Sequence, residues 1–562
     1  MKIFIIILVL SILIPLLTYI ALWLLLVIKP KFKVDKSLIN IERIKISEDF
    51  YKLENNWLKR NPYGLWELFI TKNGFENGLV NGKLCKELID TQETYFIEEI
   101  KRIIPSNFYT FFLKIVVGWI NRKIEHYIPK EYLLEIYGIS LSASERYKYI
   151  TLNYQRYLNY HAANDIGHAI EDLNMVACTS FSVWNKKSKD GSLLIGRNFD
   201  FYFGENFAQD KMICFYKPDN GYNFMMISWG GMVGAVSGMN MHGLTLTINT
   251  AKSNKPSKAR TPLCIIGRNI LQYATNIDEA YEIAKKTDTF ISASFLIGSH
   301  KENKSVIIEK SITKTCLFEN IDENFISCTN HFQSQAFSDD ALNKDNIENG
   351  YSVHRLNRAN ELINKYEKIG VNEIASILRN QKGINDIDIG IGNEKAINQL
   401  SAHHSIIFKP SELKVWISTK KYQMGEFICY DLNKVYSSDF NVEQNPEIYT
   451  KELTIAADAF LNSGEIEKYN NYREQENKIE AITKKKIKMV LQEAEIASFI
   501  SLNPSLFKTY LTIGNYYYSI KDYNKAKENY NIAITKEVAS ERERKSIISK
   551  ITNCEKKISI AR

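Results

Sequence analysis

The spacing of apolar residues changes along the chain, and each change predicts a different kind of structure. From Ile3 to Ile28 the run is apolar except for Ser11, Pro15, Thr18 and Tyr19. It is longer than the roughly 20 residues needed to cross a bilayer. No small-residue cleavage site closes it, so residues 1–36 read as a retained, single-pass transmembrane helix and membrane anchor. Lys29, Lys31, Lys33 and Lys36 follow the run, against Lys2 and the amino terminus before it. That bias favours a cytoplasmic body, but a signal anchor of the reverse sense stays open, so the side is unassigned.

From about 50 to 172 the pattern is mainly helical. Apolar positions recur every three or four residues over Tyr95 to Ile104, Asn107 to Tyr127 and Ser144 to Leu173. Pro105, Pro129 and Gly138, Ile139, Ser140 punctuate these helices. The run IVVGWI at 115–120 is too short to span a membrane and suits a buried helix or a membrane-surface contact.

At Cys178 the period shortens. Strands are predicted at 178–184, 192–201, 211–216, 222–229 and 243–249, and again at 292–297, 304–310, 324–329, 404–408 and 413–418. Helices are expected over Pro262 to Lys285 and Ser352 to Tyr366. Strand runs mixed with helix pairs point to an α+β body in αββα layers. Beyond about 445 the strands stop and long helices take over. A unit of about 34 residues from Phe507 carries Tyr510, Gly514, Tyr517, Ala526, Tyr530 and Ala533 at tetratricopeptide-like spacing. Such a unit cannot bury its apolar face alone; it caps the body or recruits a protein partner. The resulting division is an anchor (1–36), an upstream helical segment (37–177), a catalytic body (178–440) and a helical extension (441–562).

Composition narrows the function. A net charge of +8 permits acidic partners, but no motif organises a basic face, so no nucleic-acid partner is expected. The 8 cysteines form no CxxC pair and no Cys/His cluster, so no metal and no disulfide framework is expected. The glycines at 231, 234 and 238 make no phosphate cradle, and no cofactor is called for.

The segment VACTSFSVWNKKSKDGSLLIGRNFDF, 176–201, reads as two strands around a polar turn. If Trp184 faces Ser192, Cys178 lies opposite Asn198. Asn198 and Asp200 then share the cysteine's face, and Arg197 reaches the thiol only through a one-residue slip or a bulge. A guanidinium beside a thiol favours the thiolate, and a carboxylate orients a cation. The proton acceptor is either a histidine remote in sequence (His161 and His168 are the nearest) or, at a chain N-terminus, the cysteine's own α-amine.

Further motifs follow in order: GFENGLVNGKL at 74–84, EIYGIS at 135–140, GMVGAVSGMNMHGLTLTIN at 231–249 and TPLCIIGRNILQYATNIDEAYEIAKK at 261–286. CTNHF at 328–332, SVHRLNR at 352–358 and HHSIIFKP at 403–410 complete the series. With CTSFSVW and GRNFDF, this chain resembles the acyl-coenzyme A:6-aminopenicillanic acid acyltransferase family of the N-terminal nucleophile hydrolase superfamily. The resemblance implies a four-layer αββα fold and a nucleophile, Cys178, freed by cleavage of the bond before it. It implies that Arg197 and Asp200 surround that cysteine, that Asn330 holds the new N-terminus or joins the active-site hydrogen bonding, and that Arg355 closes the polar cluster. Asn249 corresponds to the oxyanion-hole asparagine. The family usually has glycine before the nucleophile; here it is Ala177. The implied activity is hydrolysis or acyl transfer at a linear amide of a small N-acylated substrate. The rival reading is an inactive, membrane-tethered interaction scaffold.

Overall fold

The computed structural model describes Leu13, Leu17 and residues 25–562 apart from 164, 166–176, 202, 205, 254–257, 321, 485, 486, 488 and 562. Most of the predicted anchor, and His168, lie outside the described residues. The helical reading from residue 50 meets a correction at once. Four short strands come first: β1 (Ile44–Ser47), β2 (Phe50–Leu53), β3 (Asn56–Arg60) and β4 (Trp66–Ile70). They are β-branched- and aromatic-rich meanders whose turns are too tight to show as periodicity.

After the helices come β5 (Thr179–Val183), β6 (Leu194–Asp200), β7 (Met212–Tyr216), β8 (Phe224–Ser228), β9 (Ser237–Asn240) and β10 (Leu244–Thr250). Next are β11 (Ala293–Ser299), β12 (Lys304–Lys310), β13 (Thr315–Phe318) and β14 (Phe325–Cys328). The last are β15 (Ala402–Lys409), β16 (Lys414–Ser418), β17 (Phe427–Asp431) and β18 (Tyr449–Ile455). β18 pairs with β17, so the strands do not stop at 445 and the body runs on to Ile455.

Among the described residues these strands form two sheets. The larger runs β1-β2-β3-β4-β7-β8-β9-β10-β11-β12-β13, with β4 and β7 parallel; the smaller runs β14-β5-β6-β15-β16-β17-β18. Period-two alternation decides what each face touches. Ile195, Ile307, Ile428 and Tyr430 turn into the core between the sheets. Their neighbours Leu194, Phe427 and Cys429 pack outward against Leu362, Ile363 and Leu378, while Val306 and Ile308 pack outward against helices on the far side. The result is helix, sheet, sheet, helix, the expected αββα order.

The upstream helices are α1 (Gly74–Leu84), α2 (Lys86–Ile103), α3 (Asn107–Asn121), α4 (Lys130–Ser140) and α5 (Asn153–His161). Gly138, Ile139 and Ser140 are the last residues of α4, which ends at Ser140. Glycine here also serves packing: a Cβ on Gly78 of α1 would stand 1.9 Å from the Glu135 carbonyl oxygen, and one on Gly138 would stand 2.5 Å from the Leu79 nitrogen. Two backbones meet where glycine allows it. The predicted helix over Pro262 to Lys285 divides into α6 (Leu263–Tyr273) and α7 (Ile277–Lys286), because Asn276 caps the second through the Glu279 amide. Outside the smaller sheet lie α8 (Ala341–Asn349), α9 (Ser352–Lys365) and α10 (Val371–Leu378).

The C-terminal extension is all-helical: α11 (Glu465–Thr483), α12 (Glu493–Leu502), α13 (Phe507–Ser519), α14 (Tyr523–Thr535) and α15 (Glu541–Ala561). It is fastened to the body by reciprocal bonds between Asn503 and Ile391 (3.2 and 2.9 Å) and by Asn393 Nδ2 donating to the Glu537 carbonyl at 2.9 Å. Among the described residues no single helix is long and apolar enough to cross a membrane. Lys86–Ile103 and Phe108–Asn121 qualify only together, bent by 119°.

Gly78→Ala should lower stability by about 3 kcal/mol, at the top of the usual cost of overpacking, because the added methyl meets backbone rather than a movable side chain. Chemical denaturation against the parent protein checks it; an unchanged midpoint would contradict the packing described.

Candidate active site

The hairpin β5–β6 sets the site. Its pairs run Thr179↔Asn198, Ser180↔Arg197 and Phe181↔Gly196, one residue off the register assumed from the turn. The turn itself explains the slip. Trp184 N bonds to the Asn324 carbonyl (2.9 Å) and Leu193 N to Asn303 Oδ1 (2.9 Å), so the first paired residues are Val183 and Leu194. A one-residue slip exchanges the faces. Arg197, Phe199 and Phe201 therefore share the face of Cys178 and Ser180, and Asn198 and Asp200 turn to the other.

Cys178 is fully buried, and its Sγ accepts from Arg197 Nη2 at 3.6 Å. Arg197 crosses to the larger sheet, where its Nη1 donates to the Val236 carbonyl at 2.5 Å and to Ser237 Oγ, and its Nη2 donates to the Ile248 carbonyl. Arg355, from α9, approaches from the other side. Its Nη1 donates to the Cys178 carbonyl (2.6 Å) and Thr179 Oγ1 (2.8 Å), and its Nη2 to Asn330 Oδ1 (2.8 Å). Asn330 in turn donates to the Thr250 carbonyl at 2.9 Å.

Asp200 keeps its place through its backbone: its carbonyl accepts from Ala177 N at 3.1 Å and lies 4.0 Å from the Cys178 thiol. Its Oδ1 accepts from Ser401 Oγ at 3.0 Å. Asn249 is not a hydrogen-bonding partner of the thiol. It donates to the Cys328 carbonyl (2.8 Å) and accepts from Ser180 Oγ (3.0 Å), tying the two sheets together.

Burial dominates the electrostatics. It pushes the Cys178 thiol upward, against the pull of Arg197, so the thiol of the uncut chain is protonated near neutral pH. Burial lifts the Asp200 carboxyl to about 7, with Arg355 opposing. The thiol's hydrogen-bonding partners among the described residues are Arg197 and the Asp200 carbonyl, and no imidazole is one of them. His161 is held by Tyr157 O (2.7 Å) and Val233 N (3.0 Å). His403 and His404 bond to each other at 3.0 Å, and His404 bonds to Ser237 at 2.8 Å. Burial holds His403 down near 3, so this pair is neutral and steadies Arg197 from behind.

A cavity of about 80 Å³ is walled in part by aromatic rings, among them Phe96, Tyr160, Phe199, Phe201, Phe207 and Trp229; Cys178 is not in its lining. Phe199 joins cavity and site, since the Arg197 guanidinium sits 4.6 Å from its ring centre. Cys178 packs in the same apolar cluster as Phe199, Phe201 and Phe207. Phe199 and Phe201 were readable in GRNFDF had the alternation been counted from Arg197. Gln399 and Ser401, which also reach the site, carry no local signal: nothing in NQLSAHH says which distant strand it meets.

Residues 184–422 match the family described as acyl-coenzyme A:6-aminopenicillanic acid acyl-transferase. That span includes Arg197, Asp200, Asn249, Asn330 and Arg355 and begins just past Cys178. An uncharacterized protein of Archaeoglobus fulgidus is 23% identical over 266 residues, covering 45% of this chain and 44% of its own. The Dictyostelium discoideum proteins dcd1B and dcd1A are 22% and 23% identical over 271 and 284 residues, covering 45% and 46% of this chain and 51% and 61% of theirs. The chain thus spans about half the length of the curated relatives it matches. Among solved structures, an N-acylethanolamine-hydrolyzing acid amidase ortholog from Caenorhabditis elegans aligns at 16% identity and a TM-score of 0.30, over 42% of this chain and 93% of its own. A variant of the conjugated bile acid hydrolase from Clostridium perfringens aligns at 14% and 0.32, over 47% and 94%. The family match lies wholly within the layered αββα body, whose two sheets carry the strands from β5 to β17.

Asp200 gives a pH signature. Its folded value near 7 lies above its ordinary 3.8, so the unfolded chain releases this proton first. Its contribution to stability is fullest below about 4 and is lost as pH rises towards 7. Asp200→Asn should flatten that part of the stability profile, as melting of the two proteins from pH 4 to 8 will show; parallel profiles would refute the assignment.

Proposed function

We propose that this chain is a self-processing thiol hydrolase or acyltransferase acting on a linear N-acyl amide, with Cys178 as nucleophile. The observation that carries the reading is a fully buried cysteine bonded at 3.6 Å to a guanidinium and clustered with Phe199, Phe201 and Phe207, rings that also line the cavity. A protonated thiol needs a base, and among the described residues no imidazole bonds to this one. Cleavage between Ala177 and Cys178 supplies the base as the new α-amine, whose ordinary pKa is near 8.

In turnover the amine takes the thiol proton and the thiolate attacks the substrate carbonyl. The tetrahedral oxyanion is held by Asn249, which has an amide N–H beyond the one given to Cys328, with Asn330 alongside. The amine then protonates the leaving nitrogen, and water or an acceptor amine resolves the thioester. Arg197 and Arg355 hold the sulfur and the residue's own carbonyl, and Asp200 lies beside the new ammonium. The aromatic cavity suits an apolar acyl group. Buried arginines and a carboxyl without a task are costly to keep, which weighs against the scaffold reading.

We assign residues 178–455 to the catalytic body and 37–177 to an upstream piece that stays bound after cleavage. The apolar run 3–28 anchors the chain as a single span. Exposed Phe108, Tyr109, Phe111, Phe112 and Trp119 on α3 then lie against the same bilayer, since Gly118 of that helix packs on Leu26. The C-terminal helices, a tetratricopeptide-like hairpin among them, offer a protein-binding end.

Intact-mass measurement of the purified protein should give fragments 1–177 and 178–562, and Cys178→Ala should give one uncut species. In the same variant, release of acid from N-acyl amides should fall at least about a thousand-fold. A fully active, uncut parent protein would sink the reading.

A further inference from the structure

Residues 397–401 reach the bond before Cys178 from a part of the chain more than two hundred positions away in sequence. Gln399 Nε2 donates to the Ala177 carbonyl oxygen at 3.1 Å, and both residues are buried. Two residues on, Ser401 Oγ donates to Asp200 Oδ1 at 3.0 Å, while the Asp200 carbonyl accepts from Ala177 N at 3.1 Å. The Ala177 peptide unit is thus held at its carbonyl by one side chain and at its nitrogen by the end of β6.

Gln399 is itself firmly seated. Asn398 N donates to the Asn380 carbonyl (2.8 Å), its Nδ2 to the Tyr422 carbonyl (3.2 Å), and its Oδ1 accepts from Leu400 N (2.9 Å). Ile397 O accepts from Asn198 Nδ2 at 3.0 Å, tying the loop to β6. Leu400 stands at φ +55°, a left-handed conformation uncommon for a leucine. An unfavourable backbone geometry held by this many bonds marks a loop whose shape has a use.

We infer that Gln399 is a catalytic residue of the self-cleavage step, donating to the Ala177 oxygen as it becomes an oxyanion. The inference rests on the proposed cleavage. As the sulfur–carbon bond forms, the carbonyl π pair moves onto the Ala177 oxygen, where the Gln399 N–H receives it. When that pair returns, the bond to the Cys178 nitrogen breaks, and the nitrogen takes the proton given up by the thiol. Water then hydrolyses the thioester, leaving an Ala177 carboxylate, a free thiol and a free amine. Because this donor faces the Ala177 carbonyl, it serves the maturation step and not substrate turnover.

The test follows full-length parent, Gln399→Ala, Gln399→Glu and Cys178→Ala chains by intact mass after synthesis. Gln399→Ala should cleave about a hundredfold more slowly than the parent, the usual loss of one such donor. Gln399→Glu should also be slow near neutral pH but recover as pH falls and its carboxyl regains a proton to donate. A merely structural glutamine would not produce that recovery. Melting of Cys178→Ala with and without Gln399→Ala, both uncleavable, shows whether the site stays folded. If the parent cleaves and Gln399→Ala keeps pace, or if Gln399→Glu shows no recovery at low pH, the role of Gln399 is overturned while Cys178 stands. If the parent does not cleave at all, the underlying reading fails instead.

Discussion

The site depends on a buried cation held between two sheets. Arg197 leaves β6, passes the Cys178 sulfur and ends among the Val236 and Ile248 carbonyls of the facing sheet and Ser237. Taking a guanidinium out of water is costly unless its protons find acceptors, and neutral carbonyls accept from both Nη atoms here without cancelling its charge. The charge stays available to the sulfur. The same bonds keep β6 from sliding, because a one-residue shift would send Arg197 into the layer occupied by Leu378 and Ile397 and bring Asn198 to the thiol.

Arg355 does the complementary work on the backbone. By gripping the Cys178 carbonyl and Thr179 while bonding to Asn330, it fixes the direction in which β5 enters the sheet. One arginine addresses the sulfur and the other the main chain. The cysteine is therefore held at its sulfur and at its carbonyl, and the residue before it is held in turn by Gln399 and the end of β6.

Much of this was legible in the sequence, and the exceptions have physical causes. The strands after Cys178 alternate cleanly because each sheet face meets a different layer; Ile307 and Val306 separate for that reason. β1–β4, β9, β13 and β17 were missed because they are short, and β18 because it is an edge strand with exposed residues such as Glu452 and Leu453 and little apolar contrast. The cluster of Cys178, Arg197, Asp200, Asn330 and Arg355 could be named from motifs, but not its register, which was decided by Asn303 and Asn324 outside the hairpin. Asn249 is bonded to Ser180 and to the Cys328 carbonyl, and Gln399 had no signal at all, since a loop's tertiary partner is not encoded in its period.

The parallel pairing of β4 with β7 has one more consequence. Strands from before and after residue 177 are stitched into a single ladder from Trp66↔Met212 to Ile70↔Tyr216, and Leu68 shares a core with Cys214 and Met226. A chain cut at 177 would behave as two interlocked halves of one folded object, much as a zip stays closed when its tape is snipped. The halves would part only when the protein unfolds, so a membrane tether on the first would restrain the second for the lifetime of the fold.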